Sequence, residues 1–191
     1  DYIVVGAGAA GCVLASRLSE RPEGQVLLVE AGPDAPPGRE HPDILDPLPV
    51  SFGNPRFAWA GLQAEVGVDP GDGRPRHSRH FLQGFGVGGG TNINGSIAFR
   101  GQPDDYDTWH RMGANGWGWG EVLPYFRRLE NDLDCAGPLH GQDGPIVVRR
   151  HRPDELAPFS RAVHEALLRQ GHRPLDDYNG DFGDGLGMLP M

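Results

Sequence analysis

The order of hydrophobic and polar positions predicts a βαβ unit in the first thirty residues. Residues 2–5 form a short apolar, β-branched run, which is typical of a fully buried strand in a parallel sheet. Residues 9–20 then place apolar side chains at helical spacing, and Pro22 closes the helix. A second apolar run, residues 25–30, predicts a second buried strand, so we expect a right-handed crossover between two parallel strands.

Beyond this unit the pattern predicts long loops with a few regular elements. The stretch 31–75 is rich in Pro, Gly and Asp, and its one hydrophobic island, residues 57–66, is interpreted as a strand. Because that stretch is too long for a plain loop in a compact domain, we expect it to pack over something large. The remaining predicted elements are helices over residues 104–112, 121–130 and 155–170 and a strand over residues 145–149.

Composition is compatible with a folded, loop-rich protein. The chain of 191 residues contains 30 glycines and 18 prolines, yet 38% of its residues are hydrophobic. The glycines fall in dense clusters without a fixed period. General disorder and a collagen-like repeat are therefore excluded.

Charge and hydropathy disfavour two kinds of partner. With 17 basic and 26 acidic residues the formal charge is -9, which disfavours wide contact with nucleic acid, because Lys and Arg grip the phosphate backbone. No apolar run approaches the roughly 20 residues that span a bilayer. We therefore expect a soluble protein that binds neither nucleic acid nor a membrane.

The two cysteines and the first residues bear on location. Cys12 and Cys135 lack the spacing of a zinc site or of a disulfide scaffold, so we expect free thiols, as in a reducing compartment. The opening residues carry no basic region or apolar core of a signal peptide. We expect a cytoplasmic protein, although the missing initiator Met leaves a trimmed upstream segment open.

A GxGxxG motif lies directly between the first predicted strand and helix. Gly6 permits a tight turn, Gly8 lets the backbone approach a pyrophosphate, and Gly11 lets helix and strand pack closely. The helix N-terminus offers N–H groups and a partial positive charge to phosphates. Glu30 ends the second strand, where a carboxylate can accept hydrogen bonds from an adenosine ribose and would repel the 2′-phosphate of NADP. The motif predicts a dinucleotide site but leaves NAD and FAD open.

A second glycine cluster resembles the flavin-contacting signature of the glucose-methanol-choline (GMC) oxidoreductases. This cluster, residues 84–95, reads GFGVGGGTNING and continues into AFRG at residues 98–101. The resemblance covers essentially the whole chain. Its other matching phrases are DYIVVG at 1–6, LVEAG at 28–32, YDTW at 106–109, GWGW at 116–119 and LPYF at 123–126.

The resemblance implies FAD as the cofactor. The flat isoalloxazine ring needs backbone that lacks side chains, and Gly88, Gly89 and Gly90 supply it. The family pattern places Gly90, Asn94, Gly95 and Ile97 against the flavin, and Ala9 and Ala10 along the pyrophosphate turn. The complete set of predicted cofactor-binding residues is Gly6, Gly8, Ala9, Ala10, Gly11, Glu30, Ala31, Gly89, Gly90, Asn94, Gly95 and Ile97. An alternative for Asn92 and Asn94 is a turn-forming side chain bonded to local backbone.

Two positions depart from the family pattern. Phe85 stands where the family usually has Arg or Lys, and Arg74, Arg76 or Arg79 could supply the missing charge. Ile93 occupies the position at which some members attach flavin through a His, and an alkyl side chain cannot form that bond. We therefore expect non-covalent FAD.

These features together predict an α/β protein that is the N-terminal portion of a larger enzyme. We expect a Rossmann-like FAD-binding βαβ domain with inserted loops over residues 1–150, including a flavin-contacting loop at 84–101, and the start of an α+β substrate domain over 151–191. The resemblance implies oxidation of the CH–OH group of a small alcohol by hydride transfer to flavin N5. It also implies that the proton-abstracting His lies downstream of Met191. The chain would then supply no catalytic residue, and the remainder of the polypeptide or a partner chain would complete the fold.

Other chemistries have weaker support in the sequence. His77 and His80 lack an acidic partner at metal-ligand spacing, so no metal site is predicted. A hydroxynitrile lyase of the same family and a non-catalytic FAD-binding fragment remain alternatives. Bleaching of the flavin by an alcohol would separate the oxidoreductase from both. Tight yellow colour would exclude a nicotinamide dehydrogenase.

Overall fold

The computed structural model describes residues 1–46, 50–68 and 71–191 and divides them into two compact units. The first unit comprises Asp1–Ser96 and the second Ile97–Met191. Both contain helices and strands, in keeping with the predicted α/β class. The division of the chain into domains at residue 150 stays a prediction. Among the described helices, none is long and apolar enough to cross a membrane.

The first unit opens with the predicted βαβ arrangement. Strand β1 (Tyr2–Val5) pairs in parallel with β2 (Val26–Val29), and helix α1 (Ala9–Ser19) connects them. The backbone N–H of Gly6 donates to the carbonyl of Val29 at 2.7 Å, which continues the pairing into the glycine turn. The two strands and the helix between them are therefore confirmed.

The prediction that both strands are buried is wrong for this chain. In β1 only Val4 is buried, whereas Ile3 is 71% and Val5 82% exposed. All four residues of β2 are exposed or half-buried. The reason is that β1 and β2 pair only with each other among the described residues, so no further described strand extends the sheet and shields their apolar side chains.

The stretch after β2 contains more regular structure than predicted. Helix α2 spans Pro42–Leu45, and two 3-10 turns follow at Val50–Gly53 and Pro55–Phe57. An antiparallel hairpin then joins β3 (Gln63–Val68) to β4 (Pro75–His80).

The strand predicted over 57–66 is therefore misplaced. Phe57 is buried, but it belongs to a 3-10 turn, and the strand begins only at Gln63. Strand β4 was missed because its residues, PRHSRH, are polar and lack the alternation that marks a half-buried strand. Local pattern thus fails where hairpin pairing, rather than burial, stabilises the strand.

The second unit contains three helices and a short parallel strand pair. The helices are α3 (Pro103–Arg111), α4 (Trp119–Leu129) and α5 (Pro158–Arg169), and the strands are β5 (Glu130–Asp132) and β6 (Ile146–Val148). Each predicted helix is confirmed within three residues at either end. The strand predicted at 145–149 is confirmed as β6. Glu130, predicted as the last helical residue, instead has extended backbone and starts β5.

Charged and polar side chains form the centre of the second unit. We call Glu130, Asp132, His140, Arg150 and Asp177 the polar core. The Arg150 guanidinium donates to both Asp132 oxygens at 2.8 and 3.0 Å and to Asp177 at 3.1 Å. His140 lies between Glu130, 3.1 Å from Nδ1, and Asp177, 2.8 Å from Nε2. Buried charges are tolerated when they are paired in this way.

Hydrogen bonding decides the charge of Asp132. Burial disfavours its charged form, but the hydrogen bonds from Arg150 and from the N–H groups of Cys135 and Asp134 outweigh burial and lower the pKa of Asp132 below 3.8. The carboxylate is therefore ionised in the folded chain at neutral pH. Its pairing with Arg150 stabilises the second unit only while that ionisation lasts.

Replacing Asp132 with Asn is expected to destabilise the fold, because it leaves Arg150 with a weakened partner in a buried site. We expect a loss of about 3 kcal/mol in the free energy of unfolding, measured by urea denaturation. Asp143→Asn, at an exposed position, is the matched control and should change little. Equal stability of the two variants would contradict the role assigned to the Arg150 pairing.

The same pairing gives this prediction a pH dependence. A carboxylate with a lowered pKa contributes stability that is present above its unfolded pKa and is lost as the pH falls through its folded pKa. For Asp132 that loss lies below about pH 4. The melting temperature of the unaltered chain should therefore fall more steeply in this range than that of Asp132→Asn.

Candidate cofactor site

The first glycine motif forms a turn that side chains would block. Gly6 has a left-handed φ of +92°, which favours glycine. A Cβ at Gly11 would lie 1.8 Å from the carbonyl oxygen of Gly6, so the helix can start this close to β1 only without a side chain. Both observations agree with the roles predicted for these two glycines.

The N-terminus of α1 is open to a ligand. Gly8 is its N-cap residue, none of the described side chains caps the helix, and the first turn contains no acidic residue. A Cβ built at Gly8 meets no atom of the described residues within 4 Å. The first N–H groups of a helix lack intrahelical partners and carry partial positive charge, so this end suits a phosphate. Ala9 and Ala10, in the first turn, are exposed.

Glu30 holds the glycine turn against the end of β2. Its Oε2 accepts a hydrogen bond from the N–H of Ala7 at 2.7 Å, and its Oε1 accepts one from Gly32 at 2.9 Å. These hydrogen bonds lower the pKa of the Glu30 carboxyl, and the bond from Gly32 has a larger effect than the bond from Ala7. The ionised carboxylate has further lone pairs, which could accept ribose hydroxyls. The ribose contact of Glu30 stays a prediction, and its hydrogen bonds with the backbone of Ala7 and Gly32 were not predicted from the sequence.

The two glycine clusters meet backbone to backbone. The N–H of Gly88 donates to the carbonyl of Ala7 at 2.8 Å, and Gly8 and Gly88 form a parallel bridge. Gly89 has φ +53°, and a Cβ there would lie 2.9 Å from the Cα of Gly8. We call Gly8, Gly88 and Gly89 the glycine junction. The flavin contact predicted for Gly89 stays a prediction, and what the structure shows is that its missing side chain admits the first cluster.

A third segment joins this arrangement. A Cβ at Gly32 would lie 2.3 Å from the backbone nitrogen of Gly86, and the N–H of Val87 donates to the carbonyl of Pro33 at 3.0 Å. The ends of β1 and β2 and the second glycine cluster thus form one surface of main chain. The feature of the sequence that indicates this contact is that each of these segments is rich in glycine.

The remaining predicted flavin contacts lie on exposed backbone or make local bonds. Gly90 and Gly95 are exposed, and a Cβ at Gly90 meets nothing within 4 Å in the part of the chain that the structure describes. The side-chain oxygen of Asn94 accepts a hydrogen bond from the backbone N–H of Ser96, and the side-chain Nδ2 of Asn92 donates to the carbonyl of Val87. Both Asn side chains therefore make the local bonds that the alternative interpretation expects. Ala31 is exposed in the first unit, and Ile97, also exposed, begins the second unit.

The structure describes the surroundings of Phe85 and Ile93, the two residues that depart from the family pattern. Phe85 contacts Trp59 edge-to-face, with 4.7 Å between ring centroids, and Ile93 is buried. Of the basic residues considered as substitutes for the missing charge, Arg74 faces Asp72 at 3.6 Å. The side chain of Arg76 lies outside the described part of the chain.

The residues of the first unit fit an adenosine diphosphate group. An uncapped helix N-terminus, open space at Gly8 and an ionised carboxylate at Glu30 supply the contacts that a pyrophosphate and a ribose require. They fit the corresponding half of FAD, and they fit that of NAD equally.

A cluster with metal-ligand chemistry lies in the second unit. Ligand atoms of Asp132, Cys135 and His140 are within 4.8 Å of one another. However, Arg150 already donates to both Asp132 oxygens, and burial raises the pKa of the Cys135 thiol to about 11. We therefore assign Asp132 and His140 to the polar core rather than to a metal, and Cys135 is a neighbouring protonated thiol. Cys12 and Cys135 are free thiols, as predicted.

Comparison with known proteins identifies the family. A family model described as GMC oxidoreductase matches residues 1–191, so the chain belongs to this family. The model is that of the N-terminal portion of the family's proteins. The chain is 41% identical over 189 residues to a 5-(hydroxymethyl)furfural oxidase of Methylovorus sp., covering 97% of this chain and 35% of that protein. It is 39% identical to an oxygen-dependent choline dehydrogenase of Photobacterium profundum, covering 100% of this chain and 32% of that protein.

A solved structure supports the same assignment. An FAD-dependent oxidoreductase from Chaetomium thermophilum aligns with a TM-score of 0.79 at 30% identity, covering 99% of this chain and 32% of that one. The chain thus spans about a third of the length of these relatives. The family resolves the choice that the first glycine motif left open, because GMC oxidoreductases are FAD-dependent.

Adjacent glycines provide a matched test of the glycine junction. Gly89→Ala should cost about 2 kcal/mol of unfolding free energy, because the new side chain meets Gly8 in a left-handed conformation. Gly90→Ala points into open space and should change stability by less than about 0.5 kcal/mol. Urea denaturation without added FAD measures both, and similar losses for the two variants would argue against the junction.

Proposed function

We propose that the complete protein is an FAD-dependent oxidoreductase that oxidises the CH–OH group of a small alcohol. The observation that carries the proposal is the glycine junction, which joins two side-chain-poor segments beside an open helix N-terminus. Such a surface lets a long cofactor lie along main chain. The relatives named as oxidases and dehydrogenases of hydroxymethylfurfural and choline support an alcohol as substrate.

Each part of the cofactor has proposed contacts in this chain. The N-terminus of α1, with Gly8, Ala9 and Ala10, would hold the pyrophosphate. Glu30, beside Ala31, would hold the ribose. Gly89, Gly90, Asn94, Gly95 and Ile97 are the proposed flavin contacts. Binding is proposed to be non-covalent, since the side chain of Ile93 is an alkyl group and is buried.

The chemistry divides between cofactor and protein. When bound, FAD supplies the two-electron acceptor for hydride from the substrate carbon. The residues of this chain bind and orient the cofactor, and Glu30 does so while bonded to the glycine turn. The proton-accepting His is expected in the remaining two thirds of the protein, by the family resemblance.

The organisation of the complete protein is also a proposal. Residues 1–150 are proposed to belong to a Rossmann-like FAD-binding domain and residues 151–191 to begin an α+β substrate domain. The remainder of the polypeptide, or a partner chain, would cover the exposed apolar strands β1 and β2. A cytoplasmic location is proposed from the two free thiols.

Substitution of Glu30 by Gln is expected to weaken FAD binding in the full-length protein by about five- to 150-fold, which corresponds to roughly 1–3 kcal/mol for a charge-assisted hydrogen bond. Glutamine retains one acceptor oxygen, so one of the two backbone N–H groups also loses its partner. The dissociation constant is measured by titrating apoprotein with FAD. Glu23→Gln, at an exposed position, is the control, and an unchanged affinity in Glu30→Gln would contradict the ribose contact.

Anaerobic reduction tests the proposed activity. The full-length protein loaded with FAD should lose its visible flavin absorbance when a substrate alcohol is added, because hydride transfer reduces the ring. Hydroxymethylfurfural, choline and simple aromatic and aliphatic alcohols form the first panel. Cleavage of a hydroxynitrile without bleaching, or bound FAD that no alcohol bleaches, would count against the proposal.

A further inference from the structure

His140 is a buried histidine of the second unit whose two ring nitrogens both face carboxylates. Nδ1 lies 3.1 Å from Oε1 of Glu130 and 3.3 Å from Oδ2 of Asp132. Nε2 lies 2.8 Å from Oδ2 of Asp177, a distance typical of a charge-assisted hydrogen bond. A neutral imidazole donates through one nitrogen only, and a carboxylate only accepts. Both sides of the ring are therefore satisfied only when His140 carries a proton on each nitrogen.

The charges around the ring favour the same doubly protonated state. The carboxylates that face the ring, and the guanidinium groups paired with them, belong to Glu130, Asp132, Asp177, Arg100 and Arg150. Among these described groups, three negative charges face two positive ones. A charge without a partner is costly to bury, and a positive charge on His140 supplies the missing partner.

The other titratable groups near His140 leave this balance unchanged. Asp134 lies 3.9 Å from Arg150, but its side chain is 42% exposed and is therefore solvated. Arg127, on α4, donates through Nε to the main-chain carbonyl of His140 at 3.2 Å and is exposed. Burial raises the pKa of the Cys135 thiol to about 11, so this group is uncharged at neutral pH.

The two sides of the ring differ in how readily they lose a proton. Two carboxylates face Nδ1, those of Glu130 and Asp132, and both are buried. Only Asp177 faces Nε2, and its side chain is 20% exposed. His140 and Asp177 also line an open cleft on the surface of the second unit. The proton on Nε2 is therefore the one that can leave, and water in the cleft accepts it.

Loss of this proton would remove one restraint on Asp177 and on the residues bonded to it. A lone pair on Nε2 would then face the Asp177 carboxylate, which favours rotation of that carboxylate towards the cleft. The other oxygen of Asp177 accepts from the N–H of Asn179 at 2.9 Å. The buried amide of Asn179 in turn bonds the carbonyl of Ala98 and the N–H of Arg100. Asp177 thus connects the state of the ring to residues 98–100.

We propose that His140 is a buried imidazolium and acts as a pH-sensitive switch in the second unit. While both ring nitrogens donate, Asp177 is fixed and the segment 177–181 is ordered. As the pH rises and the proton on Nε2 is lost, Asp177 is released and this segment loosens. The inference involves contacts within the second unit alone and does not depend on the proposed cofactor site.

Hydrogen exchange of the full-length protein tests the switch. The amides of Asn179 and Asp181 both donate to Asp177, so they report its release. Their protection, corrected for the intrinsic pH dependence of exchange, should fall about tenfold between about pH 6 and about pH 9. This range ends below the pKa of the Cys135 thiol, about 11. Protection that stays constant over the range would overturn the proposal.

A matched pair of variants assigns the effect to His140. His140→Gln is neutral at every pH, so the two amides should be weakly protected throughout and the tenfold fall should disappear. His172→Gln, at an exposed position, is the control and should keep the fall. An unchanged pH dependence in His140→Gln would show that another group titrates.

A direct measurement decides the matter if His140→Gln does not fold. Neutron diffraction from crystals of the unaltered full-length protein, grown at about pH 6 in heavy water, locates the exchangeable protons. Deuterium should be present on both Nδ1 and Nε2 of His140. A bare ring nitrogen, or deuterium on Glu130 or Asp177 instead, would refute the imidazolium and with it the switch.

Discussion

Main chain lying directly against main chain is the constraint on which the first unit depends. Gly88 bonds to Ala7 and Gly89 approaches Gly8 so closely that a single methyl group would collide. Glu30 closes the arrangement from the side by accepting from the glycine turn and from Gly32. A surface built this way has few side chains to move, so its shape is set before any cofactor arrives.

The second unit is held together by buried ion pairs rather than by contacts between main-chain segments. Its centre is a set of paired charges in which every carboxylate of the polar core faces Arg150, Arg100 or His140. Such networks are costly to bury and are sensitive to the loss of one member, so they specify a single arrangement. Asn179 extends this specificity from the polar core to the backbone of residues 98–100.

The sequence was most informative where local chemistry dictates structure. The alternation from β-branched run to helical spacing located β1, α1 and β2, and the glycine spacing located the turn between them. Prediction from the sequence failed where contacts between residues far apart in the chain determine the structure. Nothing near Glu130 indicates that the helix stops there to pair with β6, and nothing near Asn179 indicates a partner at Ala98. The glycine junction joins positions about eighty residues apart, and neither cluster specifies the other by local pattern.

The uncovered strands β1 and β2 have a consequence for biosynthesis. The matched family model describes the N-terminal portion of proteins about three times as long as this chain, so much of the sequence that could cover these apolar side chains is made later. Exposed strand edges with apolar faces recruit other strands, including those of neighbouring copies. A nascent chain of this kind has to be shielded, by chaperones or by slow docking, until later-made sequence arrives. The yield of active protein from a cell would then depend on that interval as much as on the final stability of the fold.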